Sequence, residues 1–290
     1  MTTNEPVGSG PGTPRAAQLS PVSRTALAVA RVRAYESSRP EPLFTDPYAL
    51  AFIAASGTPM PTAAPAGPLA QWLVARGIMR TRFYDDRLLA AATTAADDGG
   101  GGQVVVLAAG LDTRAYRLAW PPGTRLFEID LPAVLDFKQE VLDGQGAEAS
   151  CVRTALPADL ADPAWADRLL AAGFDPGRPT SWLAEGLLVY LEADQAARLL
   201  TAVGELSAPG SRLLTEQGRD VSRVTAEGAL GEMTALWRGG LGAGTADWLD
   251  AHGWRTEYTA IADLAVALGR GLPSTGSFDG SGFLEARRGG

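Results

Sequence analysis

A chain of 290 residues with 46% hydrophobic side chains is long enough for a sizeable core, as one large α/β domain or two small ones. Its formal net charge of −8 counts against a polyanion held by bulk electrostatics, so no nucleic-acid partner is expected. A single cysteine, Cys151, excludes an internal disulfide, and with a single histidine, His252, it leaves no ligand set for a soft metal.

Residues 1–20 are rich in Pro, Gly, Thr and Ser and lack the basic start and apolar core of a signal peptide. They read as a disordered tail. No apolar run approaches membrane-spanning length, so no membrane partner and a cytoplasmic location are expected. Val22–Ser38 has helical apolar spacing with Arg24, Arg31 and Arg33 interleaved. Asp46 is placed to cap a helix from Pro47, and Gly57–Pro68 is a Pro/Gly/Ala loop. A long helix is expected over Leu69–Ala96, carrying Arg76, Arg80 and Arg82. Residues 21–96 are thus expected to form an N-terminal helical cap, and 97–290 the core.

Asp97, Asp98 and the glycines 99–102 lead into that core. Strand signals follow at Gln103–Ala108, Arg125–Asp130, Ser150–Ala155, Thr180–Ala184 and Arg212–Glu216, with helical stretches between them. Such alternation predicts a mostly parallel sheet with helices on both faces. Cys151 falls in the third strand as a small core residue. Residues 217–246 carry few strand signals and are expected to insert as helices over the top of the sheet. His252 precedes Gly253 at a helix end, where it reads as a dipole partner or an exposed residue. Trp254–Ala260 and Gly282–Arg287 are candidates for an edge pair of strands.

The chemistry is concentrated where strands end. Gln103–Leu107 is a buried strand that breaks at Ala108-Ala109-Gly110, and Leu111–Arg114 opens a helix. The next strand finishes in Asp130, 20 positions after Gly110. A small residue for close backbone approach, followed by a strand-end acid for ribose hydroxyls, is the logic of a nucleoside-binding βαβ unit. The G-x-G-x-x-G of a dinucleotide site is missing, and Ala108 stands where a glycine is expected, although alanine adopts φ > 0 only at a cost. From these residues alone a nucleoside site and an ordinary α/β core both stand. Asp130 binds ribose or caps the helix at Leu131-Pro132, and Glu128 shares its side of the strand. Asp159-Leu160 form a ligand contact or a turn after Pro157. Glu185 and Gly186 end the fourth strand as a ligand contact or a helix-start acid and turn, and Tyr190 beyond them is a site residue or core packing.

Longer motifs extend this pattern. Val105–Leu118 (VVLAAGLDTRAYRL), Phe127–Lys138 (FEIDLPAVLDFK) and Ser181–Leu191 (SWLAEGLLVYL) closely resemble the leucine carboxyl methyltransferase family, and within it the actinobacterial S-adenosylmethionine-dependent O-methyltransferases. TALAVARVRAYE, LFTDPYA, RTRFYDD, HGWRTE and FLEARR carry the likeness over nearly the whole chain after about residue 20. The resemblance implies a class I methyltransferase, Rossmann-like fold: a seven-stranded, mostly parallel sheet with helices on both faces. It implies S-adenosyl-L-methionine as cofactor, with Gly110 against the nucleoside and Asp130 on the ribose. The Asp159 carboxylate would accept from the adenine amine while the Leu160 N–H donates to a ring nitrogen. Arg82 would take the cofactor carboxylate bidentately, with Arg33 a fainter match of the same kind. Glu185 would meet the methionine ammonium or, with Tyr190, face the acceptor.

Methyl transfer from a sulfonium is an in-line displacement in which the enzyme chiefly aligns the reacting atoms. A carboxylate acceptor is ionised near neutral pH and needs no base, whereas a phenol with pKa near 10 gains from one. The only histidine lies outside the expected pocket, which favours a carboxylate of a small molecule, natural product or peptide. The alternatives are O-methylation of a phenol or other hydroxyl in secondary metabolism, a nicotinamide-dependent oxidoreductase, and a non-catalytic nucleoside-binding protein. Acceptor identity and oligomeric state stay open.

Overall fold

The computed structural model describes residues 20–57, 67–217, 231–232, 234–273 and 281–290. Residues 1–19 of the expected disordered tail lie outside these, as do residues 58–66 of the expected loop and residues 218–230 and 233 of the expected lid.

Seven strands form one sheet: β1 (Gln103–Leu107), β2 (Arg125–Asp130), β3 (Val152–Pro157), β4 (Ser181–Ala184), β5 (Arg212–Glu216), β6 (Trp254–Ala260) and β7 (Gly282–Arg288). Their order is β3-β2-β1-β4-β5-β7-β6. Strands β1 to β5 pair in parallel, and β7 runs antiparallel to both β5 and β6. The expected edge pair forms, with β7 inserted between β5 and β6. The order reverses at β1 and β4, which makes their carboxyl ends the switch point where a crevice opens.

Strand alternation divides the core between the two faces. Val105, Leu107, Phe127, Ile129, Trp182, Leu213 and Leu284 face α6 (Trp165–Ala171) and α7 (Ala193–Glu205). Val104, Val106, Leu126, Leu183, Leu214 and Phe283 face α3 (Pro68–Asp97). Helix α3 begins with proline in its first turn and runs along the sheet through Ile78, Met79, Phe83, Leu88 and Ala92. It is therefore part of the core layer rather than only a cap.

Helices α1 (Pro21–Ser37) and α2 (Ala49–Ala55) sit over the strand ends instead. Leu27, Ala30 and Phe52 pack on Leu111, just beyond β1, and on Val134, Phe137, Val141 and Leu142 of α5 (Pro132–Gly144). The α2 helix starts two residues later than expected. Asp46 Oδ1 accepts from the Tyr48 N–H at 3.0 Å, an Asx-type turn that precedes the first helical residue.

Strand β3 starts two residues later than the sequence signals. The Ser150 N–H and hydroxyl donate to Ala115 O, and the hydroxyl also reaches Leu118 O at 2.5 Å, which holds residues 150–151 off the ladder. Cys151 thus precedes the strand, half-buried, with its thiol pushed up to about 12 by burial and by the Glu128 charge. No helix among the described residues is long and apolar enough to cross a membrane.

Candidate functional site

The turn after β1 reverses in two left-handed steps, Ala108 and Gly110, each at φ +50°. For alanine this conformation costs about 1–2 kcal/mol. At Gly110 a Cβ would also lie 3.1 Å from the Ala26 methyl on α1, so glycine is favoured there by both φ and space. The Gly110 N–H donates to Asp130 Oδ2 at 2.6 Å, and the Leu131 N–H to Oδ1 at 2.7 Å. Burial raises the Asp130 pKa, against the pull of these two bonds. Leu131 stands at the N-cap of α5 without a side-chain bond, so helix capping is not what the Asp130 carboxylate does. It fastens the end of β2 to the turn after β1, and each of its oxygens can accept a further bond.

A second cluster lies beyond β4 and β5. Glu185 directly follows β4, and its Oε1 pairs with Arg80 Nε at 2.9 Å while Oε2 pairs with Arg114 Nη1 at 2.8 Å. Glu216, the last residue of β5, accepts from Arg80 Nη1 at 2.9 Å and from the Gly186 N–H at 2.9 and 3.1 Å. Arg114, in α4 (Arg114–Arg117), also binds Asp112 and Asp85, and Asp85 takes both Nη atoms of Arg117. Burial would raise the Glu185 pKa, but Arg114 and then Arg80 outweigh it and hold the carboxyl below its ordinary range. The same balance, dominated among the charges by Arg114, depresses Asp112 strongly.

Several residues singled out in the sequence lie apart from these clusters. Arg82 bonds Asp86 at 2.8 Å and Leu43 O at 2.8 Å, with a side chain 38% exposed. Arg80 is two residues away, some 200° around the helix, and it reaches both strand-end carboxylates, with Arg76 Nη2 3.8 Å from Glu216 Oε1 beside it. Arg33 bonds Asp46 at 2.7 Å and Leu111 O at 2.6 Å, and so ties α1 to the loop beyond β1. Asp159 is exposed and its Oδ1 accepts from the Ala161 N–H at 2.9 Å, while Leu160 packs partly against the core. Tyr190 is half-buried in the turn Leu188–Tyr190. That turn is tied to the end of the expected lid by the Arg238 and Gly239 N–H groups, which donate to Val189 O. Arg80, Arg114 and Glu216 went unassigned in the sequence reading, although Glu216 ends a strand as Asp130 does.

His252 terminates α8 (Thr245–Ala251) at the amino-terminal end of β6, its ring stacked on Trp248 with centroids 3.7 Å apart. No imidazole therefore stands beyond the strand ends among the described residues. A cavity of about 300 Å³ opens at those same amino-terminal ends, lined by Gly100–Gly102, Arg178, Thr180 and Arg212. It holds none of the strand-end acids, and the switch-point geometry outweighs its size.

The arrangement fits a nucleoside joined to an amino acid. A close-approach glycine and an acid stand at one end, and an arginine beside a carboxylate at the other, suited to an α-carboxylate and an ammonium. Residues 26–204 match the family model described as leucine carboxyl methyltransferase. The chain belongs to the leucine carboxyl methyltransferase family. It is 49% identical over 277 residues to a protein of Parafrankia named as a proposed S-adenosyl-L-methionine-dependent methyltransferase, covering 92% of this chain and 87% of that one. A Streptomyces coelicolor protein of the same name is 42% identical over 275 residues, covering 92% of this chain and 95% of its own. A solved structure from Thermobifida fusca, described as a proposed methyltransferase, shares the fold with a TM-score of 0.50 and 17% identity, over 90% of this chain and 94% of that one. Membership of this family sets the nicotinamide reading aside.

Proposed function

We propose that this methyltransferase uses S-adenosyl-L-methionine to methylate a carboxylate oxygen of a small molecule, natural product or peptide. The observation that carries the cofactor assignment is the pairing of two strand-end clusters, Asp130 on the Gly110 N–H and Arg80 on Glu185. Relatives that carry the cofactor in their names support it. Asp130 would accept from the ribose hydroxyls, and Asp159 with the Leu160 N–H would hold the adenine. Glu185 would meet the ammonium, and Arg80 rather than Arg82 the carboxylate. Tyr190 would line the acceptor side. The bound cofactor would supply a methyl group on a sulfonium, already activated for displacement.

The carboxylate acceptor rests on the family and on proton chemistry. Glu185, held ionised and below its usual range by two arginines, is a poor proton acceptor, and His252 is at the wrong end of the sheet. A nucleophile that is already an anion fits such a site.

Three measurements test the reading. S-adenosylhomocysteine should raise the melting temperature where NAD does not, and Asp130→Ala should abolish that rise by removing ribose bonds worth about 1.5–3 kcal/mol each. With a carboxylate acceptor, kcat stays flat from neutral pH to about pH 9, because the nucleophile is ionised throughout. The product is then an ester cleaved by mild alkali. An alkali-stable product would overturn the carboxylate assignment and leave the methyltransferase assignment intact.

A further inference from the structure

Glu216 occupies an unusual position. Its carboxylate accepts from a guanidinium N–H of Arg80 and from the Gly186 backbone N–H. A charged donor and a main-chain N–H at a strand end are what a free amino acid's carboxylate is held by. Gly186 is built for this, with φ +63° and no Cβ, since a Cβ there would stand 3.3 Å from Arg80 Nη1. The neighbouring Glu185 has its own partners in Arg80 Nε and Arg114, and does not depend on Glu216.

A second observation concerns Tyr84, whose ring packs on Phe283 with centroids 5.6 Å apart, Phe283 being the residue paired with Glu216 across β5 and β7. Tyr84 lies one helical turn after Arg80 on α3, fully buried, and its hydroxyl has no hydrogen-bond partner among the described residues. A hydroxyl buried without a partner is costly in that state, and a carboxylate that turns to it relieves the cost. Burial and then the charge of Glu216, followed by that of Glu185, push the Tyr84 hydroxyl well above its ordinary pKa, so it is a donor at any working pH.

We propose that Glu216 is an internal stand-in for the cofactor's amino-acid carboxylate: it holds Arg80 and the Gly186 N–H in register in the ligand-free enzyme, and yields them on binding by turning to the Tyr84 hydroxyl. This rests on the cofactor assignment above. It makes Glu216 and Tyr84 positioning residues with opposite effects. Glu216 competes with the ligand, so the measured affinity is the intrinsic one multiplied by the fraction of enzyme in which Arg80 is free. Tyr84 stabilises the displaced state.

The test compares two ligands by calorimetry, S-adenosylhomocysteine, which carries the carboxylate, and methylthioadenosine, which lacks the amino-acid end. In Glu216→Gln the melting temperature of the free enzyme should fall, because Arg80 loses an anionic partner. S-adenosylhomocysteine should nevertheless bind roughly tenfold more tightly while methylthioadenosine is unchanged. In Tyr84→Phe the melting temperature of the free enzyme should rise, because an unpartnered buried hydroxyl is removed, and S-adenosylhomocysteine should bind several-fold more weakly. Unchanged or weakened S-adenosylhomocysteine binding in Glu216→Gln, or an equal gain for both ligands, would overturn the proposal and make Glu216 a brace only. If neither ligand binds the wild-type enzyme, it is the cofactor assignment that fails. Should Glu216→Gln not fold, a crystal structure of the wild-type S-adenosylhomocysteine complex decides. Glu216 turned from Arg80 toward Tyr84 supports the proposal, and Glu216 still on Arg80 refutes it.

Discussion

Two buried charge clusters on this sheet differ in what they are for. In the middle of β2, Glu128 and Lys138 are both completely buried, 2.7 Å apart, and Arg153 bonds the same Glu128 Oε2 at 2.8 Å. All these bonds run among side chains of β2, β3 and α5, each in the body of its element or packed on it. The Arg80–Glu185–Glu216 cluster begins where β4 and β5 stop, and one of its bonds goes to a backbone N–H in a left-handed turn. Charge buried along a strand joins layers of the fold, whereas charge gathered past the strand ends faces the place where a ligand enters. Burial alone does not separate them, and position along the strand does.

The largest effect should come from the first cluster. Glu128→Gln leaves Lys138 buried beside a neutral side chain and should cost about 3–5 kcal/mol in a denaturant titration. The affinity of the folded protein for S-adenosylhomocysteine should be unchanged, and a large loss of affinity would erase the distinction between the clusters. Next is Arg80→Gln, expected to weaken S-adenosylhomocysteine by roughly 10- to 100-fold through loss of a charge-assisted pair, about 1.5–3 kcal/mol. Methylthioadenosine should be indifferent to this change, and calorimetry reads both. The smallest effect belongs to Arg82→Ala. Its exposed pair with Asp86 contributes about 0–1 kcal/mol, and ligand affinity should stay within error of wild type. If Arg82→Ala and not Arg80→Gln abolishes binding, the arginine suggested by the sequence likeness is the right one.

Much of the fold was legible because its signals are local. The runs at β2, β5 and β6 carry apolar residues between turn signals, and their bounds match the structure. Expectation failed where a single hydrogen bond decides. Ser150 leaves the ladder for Ala115 O, and Asp46 takes the Tyr48 N–H in a turn before α2 begins. Pro157 can close β3 because that strand is at the sheet edge, where a missing N–H is tolerated. In the site, Gly110, Asp130 and Glu185 were readable as strand-end residues. Arg80 was not, because both arginines of the RTRFYDD motif are charged and only three-dimensional packing says which face of α3 meets β4. Glu216 was within reach of the rule that found Asp130, since β5 ends in it just as β2 ends in Asp130.

The alanine at position 108 has a consequence for how the nucleoside end is received. A glycine there would reach φ +50° without strain, but it would also sample many other conformations before a ligand arrived. Alanine prefers negative φ, so the turn is held against that preference by its own bonds, the Ala109 N–H to Ile129 O at 3.0 Å and the Gly110 N–H to Asp130 Oδ2 at 2.6 Å. The turn is in this sense preorganised. Little ordering entropy remains to be lost when a ligand settles against Gly110, and association there should proceed more nearly by docking than by remodelling.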